Sequence, residues 1–381
     1  MERHQLSSAS AEDQAFLERL RLSQRLHPVE SLDSFTADQL DLGLLADVGG
    51  LVCPADRYLQ ASARIAAALE IPYLPETAAI TFRDKRLQRT RAVELGLPAP
   101  SWASAREAQD VRRFCRSVDG PWVIKNVAGT GSQDTVLATT MTEAVETFQY
   151  ITSRSRYMNA DLMIEAFVAS PVVSLEGFVV GERFATLGLT DRTFGPRPYF
   201  AETGWGFPLD EPTLLERTAD IARTVLTALK VERSAFHFEF LVREEQPILM
   251  DANCRLPGAM IMPLLQYLSR GSYYGFLLDS ALGRTVPTPT FDDYGAMVKR
   301  YTETEGTLRR AGRVASAAKL PGVLEVIPVA RPGARVQPAR DYAGALHWVL
   351  ARGDKLDAAK SNAQAASDHL MAAVHVGVAD E

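Results

Sequence analysis

Cysteine is scarce in this 381-residue chain: Cys53, Cys115 and Cys254 are the only three. They stand far apart, form no CxxC pair and leave an odd one over, so neither a disulfide framework nor a cysteine zinc site organises the fold, and a reducing compartment is expected. Runs of about 18 apolar residues, the length a membrane span requires, are missing. Charges are scattered through the opening MERHQLSSASAEDQAFLERL, where a secretory leader would be apolar. A cytoplasmic protein that does not engage a membrane is therefore expected. Positive charge is not in excess either, with 41 Lys and Arg against 47 Asp and Glu and a formal net charge of -6. No broad basic field exists to gather nucleic acid, and an anionic ligand must be met by local groups. Internal repeats and low-complexity tracts are absent, and glycine (25) and proline (21) are present at ordinary levels. With 46% hydrophobic and 23% charged residues the chain reads as globular, and its length suggests two or three domains.

What is present changes character along the chain. Phe16, Leu17, Leu20 and Leu22 have helical spacing over 11–22, and RLHPVESL then reads as extended. GGLVCP (49–54) is an apolar run closed by Pro54, which predicts a strand, and 58–71 is an Ala-rich helix, so an α/β layer is expected. A helix from Asp84 to Leu95 is stopped by Gly96 and Pro98, and Ser104 with Glu107 forms a capping-box start for a helix reaching Val118. From Pro121 onward, PWVIKNV, TVLATT, DLMIEAFV, VVSLEGFVV, RFATLGLT, AFHFEFLV and PILMDANC are short β-rich segments separated by turn residues, with helices at about 142–152 and 213–229. That is an α+β region of antiparallel strands. Between Thr190 and Pro208 no period is visible, and the aromatic, glycine-rich stretch is a candidate lid or substrate loop. Beyond Asp293 two more strands and a helix near 342–352 predict a small C-terminal α+β module.

The densest chemistry lies in AFHFEFLVREEQPILMDANCR. If Val242 and Ile248 close its turn, Glu239 falls opposite Asp251 and His237 opposite Asn253. Phe236, Phe238, Phe240, Met250, Ala252 and Cys254 then share a core face, and His237, Glu239, Asp251, Asn253 and Arg255 share the other, too polar to bury without partners. Directly opposed carboxylates repel by about 1 kcal/mol in water and nearer to about 4 kcal/mol in a partly buried site. A hard cation between them removes that cost, and Mg2+ suits a site with few protein ligands and phosphate oxygens to complete its shell. Neutralisation of a solvated hairpin face by Arg255 explains the same residues equally well.

Lys125 ends a β-run and is followed by Ala128, Gly129, Thr130, Gly131 and Ser132, small residues that let backbone N–H groups approach an anion. This is neither a Walker A loop nor a dinucleotide fingerprint. Taken alone, it reads first as a hairpin turn with an exposed lysine, and Lys85 in FRDKRLQRTRAVELGLPAP reads as a solvated basic helix start.

Taken together, FRDK, WVIK with its small-residue loop, LMIEAFV with SLEGFVV, FHFEF and MDANCR keep an order that resembles the ATP-grasp superfamily, in particular its carboxylate-amine ligases such as the L-amino acid ligases. The resemblance spans about Ile71 to Leu265. It implies an α/β and α+β multidomain ATP-grasp fold, divided into a reduced N-terminal Rossmann-like domain (1–80), an ATP-grasp core (81–292, with lobes at about 100–168 and 169–292) and a C-terminal module (293–381). It further implies that Lys85 and Lys125 contact ATP phosphates, that Gly129, Gly131 and Ser132 cover them, and that Glu165, Ala166 and Val168 line the adenine pocket. Glu176 would take the ribose, since Val172 and Val173 stand where many relatives place a polar anchor. Glu239, Asp251 and Asn253 fall on Mg2+ ligands (Mn2+ being an acceptable substitute), with Asp251 replacing the usual Glu. Arg255 would steady the substrate carboxylate or its phosphorylated form and, with Lys125, act in catalysis. Arg192, Arg197, Glu202 and His237 are candidates for substrate contact, the last two also as base for the amine. The implied reaction joins a small carboxylic acid or amino acid to an amine through an acyl phosphate, with small-molecule partners, no nucleic acid and room for a homodimer. A bicarbonate-using carboxylase and a non-catalytic ATP-binding regulator are the alternatives.

Overall fold

The computed structural model describes residues 45, 47–154, 161–258 and 260–377. The helix expected over 11–22 and the extended segment after it lie outside the described residues. In chain order the elements are α1 (Leu59–Ala68), α2 (Glu76–Arg83), α3 (Lys85–Glu94), β1 (Trp102–Ala105), α4 (Ala108–Ser117), β2 (Trp122–Asn126), β3 (Thr135–Ala138), α5 (Met141–Arg154), β4 (Leu162–Ala166), β5 (Val172–Val180), β6 (Arg183–Phe194) and β7 (Glu202–Leu209). They continue with α6 (Pro212–Ala228), β8 (Arg233–Arg243), β9 (Gln246–Asn253), α7 (Ile261–Leu268), α8 (Tyr273–Ala281), β10 (Tyr294–Arg300), β11 (Gly306–Arg310), α9 (Val314–Ala317), β12 (Val323–Pro328), β13 (Arg335–Val336), β14 (His347–Gly353), α10 (Leu356–Met371) and β15 (His375–Gly377).

A four-stranded antiparallel sheet, ordered β1-β4-β2-β3, forms a small lobe with α4 and α5 packed on one face. Its core is Ile124, Ile164, Ala138, Phe114 and Phe148. The large lobe is built on an eight-stranded sheet ordered β12-β14-β10-β7-β6-β5-β8-β9, so strand pairing runs unbroken from the 169–292 region into the C-terminal one through β7 and β10. One face of this sheet buries Phe236, Phe238, Phe240, Leu249, Ala252 and Cys254 against α1, α2 and α6, as strand alternation requires. Gly177 is needed there, because a Cβ would collide with the Phe236 ring. The opposite face is apolar only at its far end, where Phe178, Trp205 and Phe207 meet α7 and α8. Near β8 and β9 that face carries the polar groups of the site. A third, three-stranded sheet (β13-β11-β15) closes the C-terminal end. No helix among the described residues is long and apolar enough to cross a membrane.

Four expectations need correction. Residues 49–54 are not a strand: the Cys53 carbonyl accepts the Leu256 N–H at 3.1 Å, and among the described residues no neighbouring strand offers a ladder. Helix α4 begins at Ala108, not at Ser104, because Ser104 pairs with Met163 in the sheet, and Asp110 reaches back to the Glu107 N–H instead. The stretch 190–208 is mostly two strands, with only 195–201 irregular. Its glycines suit close packing within a strand: a Cβ on Gly204 would lie 2.7 Å from the Met297 carbonyl oxygen, and one on Gly206 2.6 Å from Leu356. Finally, the helix expected near 342–352 is β14, an interior strand between β10 and β12, and the helix follows it as α10.

Candidate active site

The β8–β9 ribbon turns tightly through Glu244 and Glu245, at φ of 50° and 62°. Val242 therefore faces Pro247, one residue from the Val242–Ile248 closure expected, and Phe240 faces Leu249. Between Phe240 and Glu239 the register shifts by one, and Glu239 faces Asp251 while His237 faces Asn253. Met250 is the extra residue of this bulge, half-buried, and Leu249 occupies the core place expected for Met250. The bulge thus cancels the error at the turn and leaves the two carboxylates opposed.

On the small-lobe side, Asp84 caps α3 by accepting the Arg86 and Leu87 N–H groups at 2.8 and 3.3 Å, which sets Lys85 at the first helical position. The Lys85 ammonium donates to the Gly129 carbonyl at 2.8 Å and lies 3.7 Å from Asp251 Oδ2. Lys125 is only 6% exposed, with Nζ 2.5 Å from Glu165 Oε2. Burial lowers the Lys125 ammonium to about 8, outweighing what Glu165 restores. Burial would raise the Glu165 carboxyl, yet Arg89 and Lys125 over-compensate and hold it below its ordinary value. Arg89, which sequence reasoning missed, places Nε 2.7 Å from Glu165 Oε1. The loop joining β2 to β3 turns at Gly131 and Ser132, both at φ 61°. Gly131 is packed so closely that a Cβ would lie 2.5 Å from the Tyr342 ring, and its carbonyl accepts the Tyr342 N–H at 3.1 Å. Ala166 and Val168 are half-buried where β4 leaves its sheet, and the Ala166 N–H is taken by the Ser101 carbonyl at 2.9 Å.

The large-lobe face holds a buried charge chain. Glu176, fully buried, accepts from Ser174 and Thr190 hydroxyls at 2.7 Å each and faces His237 Nδ1 at 2.9 Å. Both of its oxygens are taken inside the sheet, so it supports the imidazole and offers nothing to a ribose in this arrangement. His237 Nε2 lies 3.2 Å from Glu239 Oε1, and burial, which would lower the imidazole, is outweighed by these two carboxylates, which raise it. Arg192 bridges Glu239 at 2.9 Å and Glu202 at 2.5 Å, and Lys299 holds the other Glu202 oxygen at 2.5 Å. Burial opposes the Arg192 cation, but Glu202 and Glu239 raise it well above its ordinary value. Glu239 is held far below the ordinary carboxylate range: burial works against this and the Arg192 cation prevails. Arg197 stands apart from this cluster, exposed and stacked 4.2 Å over the Phe200 ring. Arg255 pairs through Nε with Asp56 at 2.5 Å and donates to the Leu256 carbonyl at 2.8 Å. Neither Lys299 nor Asp56 was legible as a site residue: one lies in the C-terminal segment and the other in a short turn.

Among the described residues, no group of three or more His, Cys, Asp and Glu side chains is arranged to hold a metal ion. A cation at the ribbon must therefore rest on Glu239 and Asp251 with the Asn253 amide, and complete its shell from ligand oxygens and water. The donors fit that description: the Asn253 amide donates to Asp251 Oδ2 at 3.2 Å, which frees its own oxygen, and Asp251 Oδ1 is buried without a hydrogen-bond partner.

Residues 301–375 match the L-amino acid ligase C-terminal domain 2 family. The protein y4rH of Sinorhizobium fredii, itself uncharacterised, is 25% identical over 327 residues, 84% of this chain and 67% of that one. Among solved structures, an L-amino acid ligase from Bacillus licheniformis superposes with a TM-score of 0.78 at 17% identity, covering 93% of this chain and 88% of the other. The N5-carboxyaminoimidazole ribonucleotide synthetase of Thermus thermophilus gives 0.66 at 18% identity over 91% and 88% of the two chains. The biotin carboxylase domain of the 2-oxoglutarate carboxylase of Hydrogenobacter thermophilus, solved with MgADP and bicarbonate, gives 0.65 at 15% identity over 96% and 84%.

Proposed function

We propose, on the premise that this chain has the ATP-grasp fold and that its matches point to the carboxylate-amine ligases of that superfamily, that it joins a small carboxylic acid or amino acid to an amine at the expense of ATP. The observation that carries the reading is the facing of Glu239 and Asp251, with an unpartnered Asp251 oxygen, beside Lys85, whose ammonium also reaches the small-residue loop. With it go the division into domains at 1–80, 81–292 and 293–381 and the small-molecule acid and amine as partners.

In this reading the acid's carboxylate oxygen bonds to the γ-phosphorus while the β–γ bridging bond breaks, giving an acyl phosphate and ADP. The amine then bonds to the acyl carbon, inorganic phosphate leaves, and the nitrogen loses a proton. Mg2+ held by Glu239, Asp251 and Asn253 supplies charge neutralisation for the phosphates. Lys85 and Lys125 bind phosphate oxygens, and the Gly129–Ser132 backbone excludes water above them; positioning of this kind suffices for phosphoryl transfer. Arg255, steadied by Asp56, faces the substrate carboxylate. His237 and Glu202 have their polar atoms occupied by Glu176, Glu239, Arg192 and Lys299. They therefore serve better to hold Arg192 toward substrate than to accept a proton from the amine.

A screen of acids and amines, bicarbonate included, with ATP and Mg2+ tests this reading. Acid-dependent phosphate release, and a hydroxamate when hydroxylamine is present, are expected. Nucleotide binding without release under any pair would contradict it.

The Lys125 ammonium adds a pH dependence. Burial holds it at about 8, so the cation is complete below that value and lost above it. ATP affinity is therefore expected to be flat from pH 6 to 7 and to fall through pH 8, to roughly a tenth by one unit higher. Calorimetric titration of ATP from pH 6 to 9.5 checks this, and a pH-independent Kd would remove Lys125 from the phosphate site.

A further inference from the structure

Helix α3 carries a polar stripe where a helix packed on a sheet would ordinarily be apolar. Lys85, Gln88, Arg89 and Ala92 lie on one face at helical spacing, and Gln88 and Arg89 are 4% and 0% exposed. Gln88 accepts the Ala252 N–H at 2.9 Å and donates to the Ala252 carbonyl at 3.1 Å and the Phe82 carbonyl at 2.8 Å. Arg89 donates through Nη2 to the Met250 carbonyl at 2.6 Å. Met250 is the bulged residue, whose peptide the strand ladder leaves unpaired. Two adjacent side chains thus hold the peptides on either side of Asp251. From the same guanidinium, Nε meets the Glu165 carboxylate, whose other oxygen meets Lys125.

A buried amide and a buried guanidinium are costly unless they find partners, and those found here are the peptides flanking Asp251 and the Glu165 carboxylate. We infer that Gln88 and Arg89 are positioning residues that fix the Asp251 carboxylate relative to the Lys85 and Lys125 ammoniums, so that the metal-holding and phosphate-holding sides of the site move as one unit. The inference rests on the ligase reading for what those two sides hold. In physical terms, Lys85 begins the helix, Gln88 and Arg89 grip β9, and Arg89 reaches β4, which locks the small lobe to the bulge of the large one. The bulge sets which way Asp251 points, so loosening it misaims one metal ligand without removing any.

Gln88→Leu keeps the volume and loses all three hydrogen bonds. Its Mg2+ concentration for half-maximal ATP turnover is expected to rise about tenfold, with the Kd for ATP at saturating Mg2+ changed by less than about threefold. A merely structural glutamine would lower Tm and leave the Mg2+ midpoint in place, and that result would overturn the inference. Arg89→Met tests the second link without nucleotide, through NMR titration of isotopically labelled lysine, the Lys125 signal being identified by its loss in Lys125→Arg. The charged groups facing Lys125 are Glu165 from β4 and Arg89 and Lys85 from α3. Removing the Arg89 cation should move the Lys125 midpoint upward by about half a pH unit or more. An unmoved midpoint in folded Arg89→Met would also overturn the coupling. Wild-type protein that binds no ATP with Mg2+ would instead defeat the ligase reading, and the lysine titration would still decide whether Arg89 governs Lys125.

Discussion

Lys125→Met is expected to reduce ATP-dependent phosphate release by at least about a hundredfold, the usual loss when one preorganised charge is removed from a transferring group. The side chain is buried at the end of β2, and its ammonium shares Glu165 with Arg89. Methionine fills the same space, and Glu165 keeps the Arg89 guanidinium, so no carboxylate is stranded. The fold should survive: the β2 core residue Ile124 is untouched, and the variant should melt within a few degrees of the wild type. Phosphate release and thermal unfolding measured together check both halves. Full activity in a folded Lys125→Met protein would dissolve the phosphate assignment.

Asp251→Asn should raise the Mg2+ requirement by about tenfold or more, because a neutral amide replaces one of only two carboxylates at the ribbon. Stability without ligand should change little. The repulsion from Glu239 that is relieved and the 3.7 Å pair with Lys85 that is lost are single-charge interactions of comparable size and opposite sign. Activity titrated against Mg2+, with Tm recorded in EDTA, separates the two effects. An unchanged Mg2+ midpoint would count against the ribbon as the metal site.

The ribbon itself was legible because strand alternation is strict: three phenylalanines on one parity force His237 and Glu239 onto the other. The register at the turn was not legible, since nothing local marks the bulge at Met250, whose carbonyl is met by Arg89 from a helix some 160 residues earlier in the chain. Arg89 and its neighbour Gln88 escaped notice for the same reason: KRLQRTR looks like a solvated basic face, and only the packing of α3 against β9 reveals that Gln88 and Arg89 point inward. Composition also misled in the 190–208 stretch, where Gly204 and Gly206 read as loop residues although they permit close contact with Met297 and Leu356. Residues 342–352 failed differently: β14 is an interior strand, flanked by β12 and β10 and mostly buried, and a short apolar run carries no period by which to tell strand from helix. Likewise, Lys299 joins the site only because β10 pairs with β7, a contact across nearly a hundred residues.

The proposed chemistry requires a divalent ion held between Glu239 and Asp251 beside the phosphates of ATP. Crystals grown with Mn2+ and a non-hydrolysable ATP analogue, measured at the manganese absorption edge, test this most directly. An anomalous peak within about 2.4 Å of oxygens from both carboxylates, with the analogue's phosphates against Lys85 and Lys125, is the predicted result. A bound analogue with no peak at the ribbon, or an analogue seated elsewhere, would contradict it.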